Sequence, residues 1–486
     1  MARACKEMGI TPAAVYSDVD RTASHVSHAY ESYRIGGSES KDSYLNIDAV
    51  IGAIKACGAQ AVHPGYGFLA ENAEFAAACD KAGVTFIGPP VEAMRKMGNK
   101  LRARETMKDA GVPMVPGSDG AVDDPEEAAR VAKRVGYPVI LKAASGGGGK
   151  GMRIVRKAEE FEKALEMTMG EAQSAFGDAA VYVEKYIENP KHIEIQVMAD
   201  KHGNVITFGE RECSMQRRYQ KVIEEAPSPV VSAEMRASLS DAARKAAEAV
   251  GYVGAGTVEF IANQDLNFYF LEMNTRLQVE HPVTEMVYGV DLVKLQIEVA
   301  AGKPLPIAQS DVKIGGHAIE MRIYAEDPTN NFMPSVGVVK RLTLPQGPGV
   351  RNENSVYAGY EIPIYYDPMI GKLVVWAQTR EEAIRRAKRA LREYRADGVR
   401  TNVDFLLWAL SEPGFVDGSY DTHYIENHFD PSALHRRDEE VVLASIAASI
   451  AAFNYASTVR FRSEPEASEN SWRKISRRDQ LRKPLR

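Results

Sequence analysis

The chain has 486 residues, a formal net charge of −6 and ordinary apolar and charged fractions, the profile of a soluble globular protein of about three domains. Its acidic balance argues against a general nucleic-acid binder, and no apolar run approaches the roughly 20 residues that span a bilayer. The four cysteines (Cys5, Cys57, Cys79 and Cys213) form no CxxC pair and no metal-ligand spacing, which suits a reducing cytoplasm, and no signal peptide is recognisable.

Residues 1–98 alternate helix and strand, as in an open, Rossmann-like α/β domain. A helix over Ala2–Met8 ends at Gly9, a strand follows at Pro12–Tyr16, and a helix over Ile47–Cys57 leads to a strand at Gln60–His63 and the turn-rich HPGYGFLAEN. Such a domain normally opens with a strand and a glycine turn, whereas this chain begins inside the first helix. The expectation is either a true start further upstream or a domain without its first strand. Residues 99–300 read as α+β, with a lid at about 115–187. Asp124-Pro125 caps a helix running to Val135, with proline at its first position. The strand Pro138–Ala143 enters SGGGGKG and MRIVRK leaves it. Strands follow at Val181–Ile187 and His192–Met198, the latter alternating Ile193, Ile195 and Val197 against Glu194 and Gln196. The connection Gly302–Asp311 opens a β-rich region over 301–432, with a strand at Lys372–Ala377 and a helix behind the capping box Thr379 and Glu382. Residues 433–486 combine an apolar helix around Val441–Phe453, expected to pack, with a basic tail.

The most informative stretch is GAGTVEFIANQDLNFYFLEMNTRLQVEHP, Gly254 to Pro282. It reads as two strands, Thr257–Ala262 and Phe268–Asn274. With the turn centred on Asp265-Leu266, Glu259 lies opposite Glu272 and Asn274 shares the face of Glu272. Facing carboxylates repel unless a cation sits between them, and an all-oxygen set of Glu, Glu and Asn suits a hard ion such as Mg²⁺ held with phosphate oxygens. A pair of solvated surface carboxylates is the alternative. The stretch continues into Arg276, whose fork of donors can hold a planar anion, and Glu280, a candidate general base.

The glycine run Ser145–Gly151 joins two strands, whereas a P-loop or Rossmann turn would open a helix. It reads as a flap folding backbone N–H groups over phosphates, with Lys142 in reach, or else as a plain hairpin with a surface lysine. Lys100, Lys221 and the Arg217-Arg218 pair are ordinary surface charges taken singly. RECSMQRRYQK, with Glu212 and Gln216 interleaved, is harder to dismiss. His192 alone reads as a structural histidine. Ala318, Glu320 and Arg322 share one strand face, where a structural salt bridge remains open for Arg322.

Together, KAASGGGGKG, EKYIENPKHIEIQ, ECSMQRRYQKVIEEAP, GAGTVEF, FLEMNTRLQVEHPVTE and EMRIYAEDP resemble, in order and spacing, biotin carboxylase, a family of the ATP-grasp fold. HPGYGFLAEN, MGNK and GVPMVPGSDG fit the same pattern, which spans approximately residues 3–430. The resemblance implies that MgATP activates bicarbonate as carboxyphosphate, whose carbon dioxide is captured at N1′ of biotin. It implies ATP binding by Lys100, Lys142, Gly148 and Gly149 in the flap, Glu184, Lys185 and Ile187 at the adenine hinge, and His192, Gln216 and Tyr219 nearby. Glu259, Glu272 and Asn274 resemble ligands of two Mg²⁺ or Mn²⁺ ions, the two glutamates also touching ATP. Lys221, Arg276, Gln278, Val279 and Glu280 would surround bicarbonate, with Glu280 as its base, and Arg322 would stabilise the biotin enolate.

Tyr219 departs from the family, many of whose members carry histidine there. No Ala-Met-Lys-Met biotin-attachment motif is present; EAMRKMGNK at Glu92–Lys100 is a superficial look-alike. Biotin is therefore expected as a substrate on a separate biotin carboxyl carrier protein, not attached to this chain. A carboxyltransferase subunit for acetyl-CoA, propionyl-CoA or pyruvate is the expected second partner. Arg3, Glu7 and Arg351 match interface positions of a homodimer. Two other readings remain: a carboxylate–amine ligase of the same fold, disfavoured by RLQVEHP, and a non-catalytic scaffold, which would not bind MgATP.

Overall fold

In the computed structural model of the chain, residues 1–143, 152–176 and 179–458 are described. The chain divides into two units, residues 1–430 and 431–486. In the first ninety residues, parallel pairing joins Ala13–Ser17 to Glu31–Gly36 and Ala61–Val62 to Thr85–Phe86. The helices Ile47–Cys57 and Ala73–Lys81 carry Asn46 and Asn72 as side-chain caps and bury Val50, Ile54, Phe75 and Cys79 in one cluster. That is the α/β pattern expected from the alternation.

A separate three-stranded antiparallel sheet orders Met152–Val155, Val139–Ala143 and Val181–Lys185 side by side. The helices Pro125–Val135 and Phe161–Phe176 pack on it through Val131, Ala132, Phe161 and Leu165. This is the segment expected to form a lid. The glycine run, with Gly148 and Gly149, lies outside the described residues, as does the basic tail.

The largest element is an eight-stranded sheet. Its order is Phe268–Asn274, Gly254–Ala262, Lys191–Ala199, Val205–Arg217, Gln220–Ala226, His317–Tyr324, Met369–Ala377 and Val350–Asn354, each pair antiparallel. It runs without interruption across residue 300, so the two later sequence regions share one sheet. On one face the helices Lys100–Asp109 and Ala233–Ala249 bury Met107, Leu239 and Ala243 against Ile193, Ile195 and Phe260. On the other, Leu292 and Leu295 pack with Met198 and Ala255. The strand Lys191–Ala199 is thus covered on both sides, and the polar residues of its alternation are interior: Glu194 and Gln196 are fully buried. Alternation here separates an apolar interior from a charged one.

One buried carboxylate clamps an interior strand of this sheet, Gln220–Ala226, to the C-terminal segment of the first unit. Glu225 accepts from Arg380 Nε and Nη2 at 2.7 and 2.9 Å and from the Tyr420 hydroxyl at 2.7 Å, and lies 2.6 Å from His317 Nε2. The helix Arg380–Glu393 starts as expected, with Thr379 accepting from the Glu382 backbone N–H. In the second unit a helix spans Ser432–Thr458. It includes the apolar run expected to pack, but Val442, Leu443, Ile446, Ile450 and Phe453 are 52–74 % exposed. The sequence expectation is corrected on that point. Among the described residues this unit holds a single helix, so nothing within it receives these side chains.

Burial alone would push the Glu225 carboxyl up, but His317 and Arg380 hold it down to about 2. A depressed carboxylate contributes stability above its unfolded value of roughly 4.5 and loses it as pH falls toward 2. Glu225→Gln is expected to cost about 3 kcal/mol at neutral pH in urea unfolding, with the difference from wild type closing below about pH 4.

Candidate active site

The centre of the large sheet collects charges that the fold withdraws from water. Lys221 Nζ donates to Glu194 Oε2 at 2.6 Å, Glu259 Oε1 at 3.0 Å and Glu280 Oε1 at 2.6 Å. An ammonium has three protons to give, and all three are used. Burial pulls the lysine down, yet the three carboxylates hold it well above its ordinary value. Glu280 is the mirror case. Burial would raise it, but Lys221, Arg322 and Arg211 hold it well below the usual carboxylate range, so it stays ionised at any working pH.

The second oxygen of Glu280 accepts from Arg322 Nη2 at 2.9 Å, and Arg322 Nε donates to Glu224 Oε1 at 2.6 Å. Lys221 and Glu224 reach one cluster although three residues apart because the pairing of Gln220–Ala226 with Val205–Arg217 is broken by bulges between Lys221 and Glu225.

Arg211 ties this cluster together and is itself fully buried. Its guanidinium donates to Glu194 Oε1 at 2.5 Å, Gln196 Oε1 at 2.8 Å, Thr284 Oγ1 at 2.9 Å, Thr257 Oγ1 at 3.1 Å and Gln278 Oε1 at 2.7 Å. Because the Gln278 oxygen faces Arg211, its amide nitrogen must point the other way, and it donates to Glu259 Oε1 at 2.7 Å. The backbone carbonyl of Val279 next door accepts from Lys372 Nζ.

The hairpin places Glu259 directly opposite Glu272, and Thr257 opposite Asn274. The turn differs from expectation. Asn263 and Asn267 close it, and Ala262 pairs with Phe268; a bulge between Glu259 and Phe260 then shifts the register so that the glutamates still face each other. Burial, and then the Glu259 charge across the strand, raise the Glu272 carboxyl, which Lys100 only partly opposes. The Asn274 amide oxygen accepts from Arg276, and its amide nitrogen has no partner among the described residues. The two facing carboxylates and that amide oxygen make an all-oxygen set that fits a hard divalent cation. Arg276 is steered from the first domain: its Nε donates to Glu71 Oε2 at 3.0 Å and its Nη2 to Asn274 Oδ1 at 2.9 Å.

His192 lies 3.0 Å from Glu259 Oε2 and beside Gln216, whose amide nitrogen is 3.0 Å from its Nδ1. Burial lowers His192, but Glu259 outweighs it and the net shift is upward. Further out, Glu184 is buried between Lys142 Nζ and Arg104 Nη1, each at 2.6 Å. Lys185 Nζ donates to the carbonyls of Gly136 and Tyr137, and Ile187 is buried. Lys100 opens the helix Lys100–Asp109. Tyr219 stands apart: it is 85 % exposed at the tip of a tight hairpin, with Arg218 and Tyr219 both in left-handed backbone.

The arrangement thus joins Lys221, Glu259, Gln278, Glu280, Arg322 and His192 in one hydrogen-bonded cluster, with Glu272, Asn274 and Arg276 at its rim. Sequence reasoning missed Glu71, Arg104, Glu194, Arg211, Glu224 and Glu320. Arg211 opens the run RECSMQRRYQK, which does signal clustered cations, and Glu71 is the penultimate residue of the turn motif HPGYGFLAEN.

Comparison with known proteins decides what such a cluster belongs to. Residues 1–94 match the family description "Biotin carboxylase, N-terminal domain", 99–308 "Carbamoyl-phosphate synthase L chain, ATP binding domain", and 320–427 "Biotin carboxylase C-terminal domain". The chain belongs to the biotin carboxylase family. Biotin carboxylase 1 of Bacillus subtilis is 54 % identical over 427 residues, 88 % of this chain and 95 % of that protein. The 2-oxoglutarate carboxylase small subunit of Hydrogenobacter thermophilus is 50 % identical over 455 residues, 93 % of this chain and 96 % of the relative. The biotin carboxylase domain dimer of that carboxylase, solved with MgADP, ADP and bicarbonate, superimposes with a TM-score of 0.79 at 50 % identity, covering 88 % of this chain and 94 % of that one. This biotin carboxylase has the ATP-grasp fold and is a ligase that carboxylates biotin at the expense of ATP.

Because Arg211 serves five acceptors and a lysine has three protons, Arg211→Lys leaves at least two buried acceptors bare. Bicarbonate-dependent ATP hydrolysis is expected to fall about ten- to hundredfold, mostly through KM for bicarbonate, while ATP affinity measured by calorimetry changes little.

Proposed function

We propose that this chain carries out the first half-reaction of a biotin-dependent acyl-CoA or keto-acid carboxylase: ATP and bicarbonate form carboxyphosphate, and its carbon dioxide is passed to N1′ of biotin. The observation that carries this reading is the triple-carboxylate grip on Lys221, with Glu280 shared between Lys221 and Arg322. These cations are neutralised by protein carboxylates, and an incoming anion can exchange for them. Bicarbonate lying among Lys221, Arg276, Gln278 and the Val279 backbone would draw both cations toward itself. Glu280 would then lose part of the positive field that depresses it and become basic enough to take the bicarbonate proton. The anion so formed attacks the γ-phosphorus of ATP, and ADP leaves. Carboxyphosphate then breaks its carbon–oxygen bond to give carbon dioxide and phosphate, and the phosphate takes the N1′ proton of biotin. Arg322, released on one side by protonated Glu280, keeps a free Nη2 for the enolate oxygen so formed.

ATP would be held by Lys100, Lys142 and the flap with Gly148 and Gly149, with Glu184, Lys185 and Ile187 around the adenine and His192, Gln216 and Tyr219 alongside. Lys142 is paired with Glu184, so a nucleotide phosphate at Lys142 would exchange one anion for another. Glu259, Glu272 and Asn274 would hold Mg²⁺ or Mn²⁺, which when bound neutralises phosphate charge as it develops. Biotin is delivered by a biotin carboxyl carrier protein and carboxybiotin is passed to a carboxyltransferase. Relatives named as carboxylase subunits support that division. The domains assigned are 1–98, 99–300, 301–432 and 433–486, and the protein works as a cytoplasmic homodimer. Within the chain Arg351 is engaged by Glu285 and Glu353, and Glu7 by Lys294.

The purified protein is expected to hydrolyse ATP only with bicarbonate present and faster with free biotin. Absence of both dependences would overturn the reading. Glu280→Gln should lower biotin carboxylation by at least about a thousandfold with ATP affinity retained; unchanged turnover removes Glu280 from the role of base. Glu272→Gln should raise the Mg²⁺ concentration needed for half-maximal activity by roughly tenfold, read as a titration after removal of metal with EDTA.

A further inference from the structure

Beneath the Arg322–Glu280 contact lies a second pair of carboxyls that the reaction as described does not use. Glu224 and Glu320 are direct partners across the antiparallel strands Gln220–Ala226 and His317–Tyr324, and both are fully buried. Glu224 Oε1 holds Arg322 Nε at 2.6 Å, but Glu224 Oε2 and both oxygens of Glu320 have no hydrogen-bond partner among the described residues. Among the described residues, the hydrogen bonds of the neighbouring cations do not reach these three oxygens. Arg322 Nη2 is on Glu280 and Lys372 Nζ is on the Val279 carbonyl. On the same face the helix His281–Tyr288 brings Glu280 at its start, His281, which burial and Lys372 keep well below its ordinary pKa and hence neutral, and Glu285, which is held by Arg351. The strand Val350–Asn354 brings Glu353, opposite Lys372. The helix Arg380–Glu393 packs with buried Ala383, Ile384 and Ala387.

Two ionised carboxylates facing each other with three bare oxygens would repel and would each bear the cost of an unpartnered buried charge. A single proton removes one of the charges and makes one acceptor a donor. The 2.6 Å contact of Glu224 with a guanidinium favours its ionised form, which leaves the proton to Glu320. We propose that Glu320 is a positioning residue: the proton it holds between the strands keeps Glu224 ionised on Arg322 Nε, and so aims Arg322 Nη2 at Glu280. The inference rests on Arg322 and Glu280 acting in the reaction as set out above. Burial, with the Glu224 charge added, pushes Glu320 up to about 8, Lys372 opposing, and burial also pushes Glu224 up, to about 7, with Arg322 opposing; of the two, Glu320 is the better holder of a single proton.

The test compares wild type, Glu320→Gln and Glu224→Gln by kcat/KM for bicarbonate in biotin-stimulated ATP hydrolysis, and by thermal melting, from about pH 5 to 9.5. For a group titrating near 8 the protonated fraction falls about tenfold between pH 7 and 9. Wild-type activity is expected to carry that alkaline fall, Glu320→Gln to lose it, and Glu224→Gln to be reduced at every pH because Arg322 Nε loses its carboxylate. The sign for stability follows from a raised carboxyl: the stability it confers is complete below the unfolded value and is lost as pH rises to about 8. Glu320→Gln should therefore melt progressively higher than wild type across that window and by a constant margin above it. An alkaline limb shared by Glu320→Gln and wild type with parallel melting profiles overturns the proposal. Equal behaviour of the two variants does the same, as does a Glu320→Gln protein that fails to fold, since a neutral isostere must fit a site that already holds a neutral acid. If wild type shows no biotin-stimulated activity, the functional reading fails, while the melting profiles still report whether Glu320 carries the proton.

Discussion

Everything at the centre of this protein depends on one saturated cation. Lys221 has three protons and three carboxylates to receive them, and those carboxylates arrive from three separate stretches of chain: the Lys191–Ala199 strand, the Gly254–Ala262 strand and the loop before the His281–Tyr288 helix. Burying one charge is expensive, and burying four is tolerable only if each finds partners whose own remaining bonds are met. Arg211 meets that condition from behind with all five of its donors. Taking any of these charges out of its place would leave its buried partners bare, and that cost holds the geometry.

The sheet supplies the register for this arrangement. Antiparallel pairing across eight strands puts Glu194, Glu259 and Glu272 in one row on neighbouring strands, since Glu259 pairs with both of the others. A row of three carboxylates is a strongly unfavourable surface on its own. Lys221 neutralises its inner part, and in the proposed function a divalent ion would neutralise its outer part. The same sheet also carries Lys221 and Arg322, on its strands Gln220–Ala226 and His317–Tyr324, so the two cations proposed to handle bicarbonate and biotin share a single support.

Much of this could be read from the residues. Helix ends at Asn46, Asp124 and Thr379 are set by side chains that accept from the backbone, a local effect that sequence exposes directly. The facing of Glu259 and Glu272 was legible because strand side chains alternate, although the bulge that preserves it was not. Glu194 and Gln196 were hidden for a physical reason: at alternate positions of an apolar strand, a charged residue bound for solvent and one bound for a charged interior look the same. Only the partner distinguishes them, and Arg211 stands 17 positions away from Glu194. The exposed apolar run at Val442–Phe453 is the converse case, since period alone does not say whether a partner surface exists.

In the function proposed above, bicarbonate would compete with Glu71 for the same arginine. Glu71 belongs to the first α/β segment and is anchored there by its place after the glycine turn, yet it grips both the Arg276 guanidinium and the Thr275 backbone N–H. A ligand that takes hold of Arg276 must loosen a tether between two distant parts of the chain. By thermodynamic reciprocity, whatever loosens that tether must favour the ligand by the same factor. On the proposed reading, bicarbonate at Arg276 would thereby be linked to the hold of the amino-terminal segment through Glu71, more than 200 positions upstream of the arginine.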